Sequence, residues 1–320
     1  MPDSTGPGLP AEPAVVVLGR ATDPVVAVDV GGSVIKGAIL GAGHSGAIRR
    51  WPTPRTGGPA AVVSAVLAAV DELVRECDAV AAVGLAVPGI VDSGRGIAVA
   101  AANVGWHQVP FRDLVEQRTG RPVSVGHDVR ASAEAEIRLG AARGAYDAMV
   151  LPIGTGIAAA MLVQGRLLHT GCGRAGEIGH LHVGHDEPCA CGGRGCLEAI
   201  ASAAAICRRF TARTGRRVAD AAEVAELVRG GDRDAAAVWD EALGGLATAV
   251  AAYVTLLAPE VVVIGGGLCA SGDLLLQALD ARLAGRLAFQ RRPRLVAAAF
   301  GDRAGCVGAA LQAWDLLGAP

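Results

Sequence analysis

Short apolar runs alternate with glycine-centred turns in the first part of the chain. Residues 25–40 read VVAVDV, then Gly31 and Gly32, then the run VIKGAIL. Two β-branched runs on either side of a two-glycine turn are typical of a β-hairpin. Further along, AMVLPI and IAAAMLV enclose residues 154–156 in the same way. The repeated pattern predicts that the chain is internally duplicated.

The remaining pattern predicts alternating helices and strands, which is a mixed α/β fold. Helical spacing occurs at 60–77, 131–139 and 235–257, and buried strands are predicted at 80–92, 122–126 and 261–267. We expect two lobes that meet near Asp128. The predicted units are a disordered leader at 1–24, a small lobe at 25–127 that the C-terminal helix 303–320 can complete, and a large lobe at 128–302.

Composition excludes several classes of partner. The net charge of -2 provides no basic field for nucleic acid, and the apolar runs are broken well before the roughly 18 residues that a membrane span needs. The segment before residue 25 has no basic start or long apolar stretch, so it does not resemble a secretory signal. We therefore expect a protein of the reducing cytoplasm, whose eight cysteines are not a disulfide framework.

The first glycine turn carries the residue types that bind a nucleotide phosphate. In the motif DVGGSVIK, backbone N–H groups at Gly31, Gly32 and Ser33 can point at an oxyanion, since no large side chain blocks the approach. Asp29 is a candidate to orient Mg²⁺ or its waters, and Lys36 is a candidate to reach phosphate oxygens. The alternative is an ordinary hairpin turn.

Two further glycine clusters extend this interpretation. Gly154, Thr155 and Gly156 occupy the duplicated turn and predict a second phosphate cradle. The cluster Gly265, Gly266 and Gly267 follows the run VVVI and could let an adenosine lie against backbone. A lone glycine cluster is a weak signal, so the second and third sites depend on the first.

The most specific pattern is a metal-ligand set. Its members are His180, Cys189, Cys191 and Cys196, within the segment 180–196. Three thiolates and one imidazole complete a tetrahedral zinc shell, so we predict structural Zn²⁺ rather than an ion that activates water. The alternative is a set of unligated cysteines beside a core histidine. Zinc-hydrolase chemistry is disfavoured because the shell has no open position.

Carboxylates beside this metal set are candidates for sugar recognition. Glu177 lies three residues before His180, and Glu198 lies two residues after Cys196. Sugar hydroxyls are selected by acceptors that lose a partner when the wrong epimer binds. His180 could bind zinc through one nitrogen and a sugar hydroxyl through the other. The alternative is that both glutamates are solvated surface charges.

Phosphoryl transfer to an alcohol also needs a proton acceptor. Asp128 follows an apolar strand and precedes a predicted helix, which is where a loop delivers a functional group to a cleft. We predict it to be the general base. An aspartate before a helix is also a common N-cap, and spacing alone leaves both roles open.

These motifs resemble the ROK family, a set of bacterial sugar kinases and related repressors. The resemblance covers nearly all of residues 25–315 and rests on DVGGSVIK, VPGIVD, NVGW, the His127–Asp128 pair, PIGTGI, GEIGH, CACGGRGCLE and IGGGL, in family order. It implies an actin-like, ribonuclease-H-like α/β ATPase fold with a cleft for ATP, Mg²⁺ and a sugar. The sugar contacts that it implies are Gly89, Asn103, His127, Asp128, Glu177, His180 and Glu198.

Two departures from the family pattern bear on the substrate. Ser33 replaces the usual threonine and keeps its hydroxyl, whereas His127 replaces an asparagine that contacts sugar. The resemblance makes glucose, phosphorylated at O6, the expected substrate. N-acetylmannosamine, N-acetylglucosamine, 3-amino-glucose and fructose remain open, as does a non-catalytic sugar sensor. A repressor is disfavoured, since the 24 residues before the first strand contain no basic helical pattern. The family also suggests a dimer or tetramer.

Overall fold

The structure is a computed structural model that describes residues 23–318 except 42, 45, 55, 102 and 170–174. The predicted leader at 1–24 therefore lies outside the described residues, apart from Asp23 and Pro24.

The described chain contains thirteen strands and nine α-helices. The strands are β1 (Val25–Val30), β2 (Val34–Leu40), β3 (Arg49–Pro52), β4 (Ala82–Val87), β5 (Ile90–Asp92), β6 (Ile97–Ala101), β7 (Trp106–Val109), β8 (Val123–His127), β9 (Ala148–Pro152), β10 (Ala160–Val163), β11 (Arg166–Leu167), β12 (Val261–Gly265) and β13 (Arg294–Ala297). The helices are α1 (Gly58–Glu76), α2 (Phe111–Thr119), α3 (Asp128–Arg138), α4 (Leu197–Ala201), α5 (Ala203–Thr214), α6 (Ala221–Arg229), α7 (Arg233–Leu257), α8 (Asp273–Ala284) and α9 (Ala304–Leu316).

Two five-stranded sheets have the same topology. Their strand orders are β3-β2-β1-β4-β8 and β11-β10-β9-β12-β13. In each sheet the first three strands in this order pair antiparallel with one another. The third strand pairs parallel with the fourth, and the fourth pairs parallel with the fifth. The predicted duplication is confirmed, and so are the two hairpins at which the glycine turns were expected.

The predicted helices and buried strands are present with shifted ends, except that the segment 80–92 forms two strands, β4 and β5, in different sheets. Helix α3 begins at Asp128, where the sequence pattern placed the start at residue 131. The small sheet β5-β6-β7 was not predicted, because its strands are short and only partly buried. Their apolar residues are too few for a clear period of two.

Helices α3 and α9 pack against each other at the first sheet. A Cβ added to Gly308 of α9 would lie 1.7 Å from the Ala131 carbonyl oxygen of α3, so only glycine allows this approach. Ala131 shares a buried cluster with α9 and the first sheet, whereas Ala133 belongs to a cluster with the second sheet. This packing agrees with α9 completing the small lobe. The lobe boundaries themselves stay a prediction.

Among the described helices, α7 alone is long and apolar enough to cross a membrane by length and composition. Half of its apolar window is buried inside the protein, and Val238, Leu246 and Val250 pack in the core of the second half. A core helix passes the same test, so this helix is weak evidence for a membrane span.

Candidate active site

Asp128 lies where β8 ends and α3 begins. Its Oδ1 accepts a hydrogen bond from the Val129 N–H at 2.7 Å. Burial raises the pKa of Asp128 to about 6, against the opposing effect of that N–H. The N-cap position of α3 belongs to His127, so the Asp128 side chain is not the cap that the sequence left open. A carboxyl group with a raised pKa is suited to accept a proton near neutral pH.

Asp29 and Lys36 face each other across the β1-β2 pair. The Lys36 ammonium lies 3.4 Å from Asp29 Oδ2 and donates to the Asp302 carbonyl at 3.0 Å. Burial raises the pKa of Asp29 to about 6, while Lys36 lowers it and the charge of Asp128 raises it. The charge of Asp128 therefore reaches Asp29, so the two predicted carboxyl groups lie in one site. The predicted contact between Lys36 and phosphate stays a prediction.

Thr53 holds the first glycine turn through two hydrogen bonds. The Thr53 hydroxyl donates to the Gly31 carbonyl at 2.7 Å, and the Thr53 N–H donates to the Ser33 carbonyl at 3.0 Å. The Gly31 N–H is used inside the turn, on Val34. Residues 32 and 33 are exposed. A ligand can therefore reach the tip of the turn but not the Gly31 amide.

Asn103 lies beside the first turn. It belongs to the connection between β6 and β7, and a Cβ added to Gly32 would be 3.3 Å from its Nδ2. A predicted sugar contact and a predicted phosphate cradle are thus brought together. Gly89 follows β4 with a φ of +87°, and a Cβ there would lie 2.1 Å from the Ala100 carbonyl. Packing therefore accounts for glycine at 89, and its role towards sugar stays a prediction.

The second and third glycine clusters are neighbours. Strands β9 and β12 pair in parallel, with Gly265 opposite Pro152, so their carboxyl ends lie side by side. Gly266 packs so closely on Ile153 that a Cβ would lie 2.4 Å from its carbonyl oxygen. Thr155 and Gly156 are exposed, whereas the Gly154 N–H donates to the Gly156 carbonyl within the turn.

Three titratable side chains, His127, Arg130 and Glu177, lie within electrostatic reach of Asp128 or of one another. Burial lowers the pKa of His127 to about 4, helped by the nearby Arg130 guanidinium and opposed by Glu177. The His127 ring is therefore neutral at pH 7. Glu177 also raises the pKa of Asp128, although burial is the larger cause. The structure thus brings Glu177, His127 and Asp128 within electrostatic reach of one another.

The four predicted metal ligands form a cluster. The ligand atoms of His180, Cys189, Cys191 and Cys196 all lie within 4.8 Å of one another. The Cys191 and Cys196 sulfur atoms are 3.7 Å apart, and His180 Nδ1 is 3.7 Å from the Cys189 sulfur. A tetrahedral ion with Zn–S bonds of about 2.3 Å would separate two sulfur atoms by about 3.8 Å. The residues can hold a metal ion, and the donor set fits zinc.

The family assignment follows from a match over most of the chain. The family model described as "ROK family" matches residues 25–315, which include every candidate site residue above. The chain belongs to the ROK family. Its two five-stranded sheets are those of the actin-like, ribonuclease-H-like ATPase fold.

Curated ROK relatives span most of the chain. The glucokinase of Halalkalibacterium halodurans is 33% identical over 273 residues, which are 79% of this chain and 82% of that protein. The glucokinase of Thermotoga maritima is 36% identical over 246 residues, which are 71% and 77% of the two chains. Among solved structures, a ROK family glucokinase from Streptomyces griseus, in complex with glucose and AMPPNP, is 30% identical. It superposes with a TM-score of 0.79 over 91% of this chain and 99% of its own.

The structure assigns Glu198 a contact that its motif did not suggest. Its Oε2 accepts the Ile157 N–H at 2.8 Å, so this predicted sugar contact touches the segment that follows the second glycine turn. Thr53 and Arg130 were missed as well. Thr53 lies between two prolines in a segment without a motif, whereas Arg130 stands two residues after Asp128, where its charge was a usable signal.

Proposed function

We propose that this ROK protein is an ATP-dependent hexose kinase that phosphorylates glucose at O6. The observation that carries the proposal is the proximity of two buried carboxyl groups: the charge of Asp128 raises the pKa of Asp29, and burial raises the pKa values of both to about 6. Asp29 lies in β1 just before the first glycine turn, as a carboxylate on the phosphate side would, and Asp128 begins α3 on the sugar side. The glucokinase relatives support glucose as the substrate.

In the proposed reaction, Asp128 accepts the proton of the glucose O6 hydroxyl. The bond between O6 and the γ-phosphorus forms while the bond between that phosphorus and the bridging oxygen of ADP breaks. Asp29 is the residue that would hold Mg²⁺ or its waters, and this ion neutralises phosphate charge when bound. Turns 31–33 and 154–156 would receive the phosphates, and residues 265–267 would receive the adenosine.

The sugar pocket that we propose combines residues of both halves. Its members are Gly89, Asn103, His127, Asp128, Glu177, His180 and Glu198. The His180 Nδ1 faces the metal cluster, so Nε2 is the nitrogen available for a sugar hydroxyl. Zinc would be structural, because four protein ligands leave no coordination position for substrate. Its effect on sugar binding would be to hold His180 and the neighbouring Glu177 in place.

A coupled ADP-release assay on a hexose panel tests the proposal. The panel contains glucose, mannose, fructose, N-acetylglucosamine, N-acetylmannosamine and 3-amino-glucose, each at saturating Mg-ATP. We expect the highest kcat/KM with glucose. A preference for an N-acetyl or amino sugar would change the proposed substrate but not the proposed reaction. Measurable ATP binding with no ADP release on any sugar would instead identify a non-catalytic sensor.

We also propose that the protein acts in the cytoplasm, as a dimer or tetramer, without a nucleic-acid or membrane partner. The thiolate ligands support a reducing compartment. Light scattering measures the assembly, and a gel shift with and without glucose tests the repressor alternative. A sugar-dependent shift would contradict the absence of a nucleic-acid partner.

A further inference from the structure

We propose that Glu198 is a positioning residue through which bound sugar strengthens nucleotide binding at the turn of residues 154–156. The inference rests on the proposed function and deepens it. Besides its expected contact with sugar, Glu198 would hold the turn that is proposed to bind the phosphates.

One oxygen of Glu198 holds the second glycine turn. Oε2 accepts the Ile157 N–H at 2.8 Å, and a Cβ added to Gly156 would lie only 2.6 Å from the same oxygen. The carboxylate thus lies directly against the end of the turn. This hydrogen bond joins the side chain of Glu198 to the end of the turn and so limits the movement of the turn.

A second contact comes from the same part of the chain. The Ala203 N–H, just after helix α4, donates to the Gly154 carbonyl at 2.8 Å. The turn is therefore held at its start by Ala203 and at its end by Glu198. Helix α4 has Cys196 at its N-cap, so the segment that holds the turn begins at a predicted metal ligand.

The Glu198 side chain also lies beside the predicted sugar segment. A Cβ added to Gly179 would lie 3.4 Å from the Glu198 Cβ and 2.1 Å from the Ile157 carbonyl oxygen. Gly179 stands between Glu177 and His180 in the 3₁₀ region (Ile178–His180). Glu198 is partly exposed, and Oε1 has no hydrogen-bond partner in the part of the chain that the structure describes. That oxygen is available to a sugar hydroxyl.

One carboxylate that contacts both ligands couples their binding. A sugar hydroxyl on Oε1 restricts the rotation of the Glu198 side chain and so keeps Oε2 on Ile157. The turn is then ordered before the nucleotide arrives, and the nucleotide loses less freedom when it binds. Linkage requires the same factor in both directions, so AMPPNP must tighten glucose binding equally.

Calorimetric titration measures this factor directly. AMPPNP with Mg²⁺ is titrated into the metal-replete protein with and without saturating glucose, and the ratio of the two Kd values is the coupling. We expect glucose to tighten AMPPNP binding about fivefold or more in the wild-type protein.

Two alanine variants distinguish loss of the contact between Glu198 and Ile157 from the effect of an added methyl group in the turn. Gly156→Ala places a methyl group against Oε2 and moves the flexible carboxylate away from Ile157. Gly154→Ala adds the same methyl group where no atom lies within 4 Å. We expect a ratio near one for Gly156→Ala and a ratio within about twofold of wild type for Gly154→Ala, whatever their absolute affinities. Glu198→Gln, with only one acceptor oxygen, should lower the ratio as well.

A purely structural role predicts a different outcome. It would weaken AMPPNP binding equally with and without glucose, and the ratio would not change in Gly156→Ala. That result, or a ratio near one in a wild-type protein that turns over glucose, overturns the inference. Failure of the proposed function looks different, because the wild-type protein would then release no ADP with any hexose.

Discussion

The His127 Nδ1 lies 3.4 Å from Asp128 Oδ1, and burial shifts the pKa values of both groups towards their neutral forms. Burial lowers the pKa of His127 to about 4 and raises the pKa of Asp128 to about 6, which reverses the order in free amino acids. Near pH 7 the pair is therefore a neutral imidazole beside a carboxylate. This is the charge state in which Asp128 can accept a proton.

The first prediction concerns the pH profile of kcat/KM for glucose. Activity should fall as the pH drops through about 6, because Asp128 and Asp29 then become protonated. Two groups that titrate together make the fall steeper than tenfold per pH unit. A pH-rate series between 5 and 9 measures it. A profile that stays flat down to pH 5 would show that neither carboxylate must be ionised.

Replacement of Asp128 by Asn should lower turnover without weakening glucose binding. The kcat should fall by about 10² to 10⁴, the usual contribution of a general base, while the Kd for glucose changes little. Stopped-flow or coupled kinetics and calorimetry provide the two values. A variant with near-normal kcat would exclude Asp128 as the base.

The same variant should melt at a higher temperature at pH 7.5. The raised pKa of Asp128 means that its charged form destabilises the fold, so this cost is complete above about pH 6 and disappears below about pH 4. Asparagine removes a cost of roughly 1–3 kcal/mol at pH 7.5. Calorimetry at pH 7.5 and pH 4 should show the gain at the higher pH alone; an equal gain at both would have another cause.

Removal of the predicted zinc should weaken sugar binding and the fold together. The metal-stripped protein is compared with Cys191→Ser, which lacks one cluster ligand, and with Cys77→Ser, a cysteine outside the cluster. We expect about one zinc per chain in wild type and Cys77→Ser, and a lower Tm and weaker glucose affinity in the other two. Metal analysis and calorimetry are the measurements. Full glucose affinity after stripping would contradict the proposed role.

Buried Glu136 should be one of the largest single contributors to stability. It is 1% exposed, and its carboxylate accepts the N–H groups of Ala141, Ala299 and Phe300 at 2.9, 3.0 and 2.9 Å. Glu136→Gln turns one acceptor into a donor that faces another donor, and should cost about 2–4 kcal/mol. Chemical denaturation measures the loss.

The matched control is Glu223→Gln. Glu223 is exposed, and its carboxylate accepts one backbone N–H, that of Ala219. Its change in unfolding free energy should stay within about 0.5 kcal/mol. Equal effects of the two substitutions would mean that the three backbone hydrogen bonds to Glu136 contribute little.

The sequence predicted those elements that depend on residues close together in the chain. A hairpin needs two apolar runs and a turn, so both glycine turns and the repeat were found from the sequence. The His180 and cysteine cluster was predicted because its three cysteines lie within eight residues (189–196), and a short loop can bring them together without distant contacts. The β5-β6-β7 sheet was missed, because its strands are short and only partly buried and so show no clear period of two.

The residue pattern was enough to predict the family, the two hairpins and the cluster of His180, Cys189, Cys191 and Cys196. Tertiary structure alone decided the charge states and supports of these residues. Lys36 meets the carbonyl of Asp302, 266 positions away, and Glu198 meets Ile157, 41 positions away. The raised pKa values of Asp29 and Asp128 depend on burial by distant segments. Such contacts leave no periodic pattern in the chain, since each depends on which segments fold against one another.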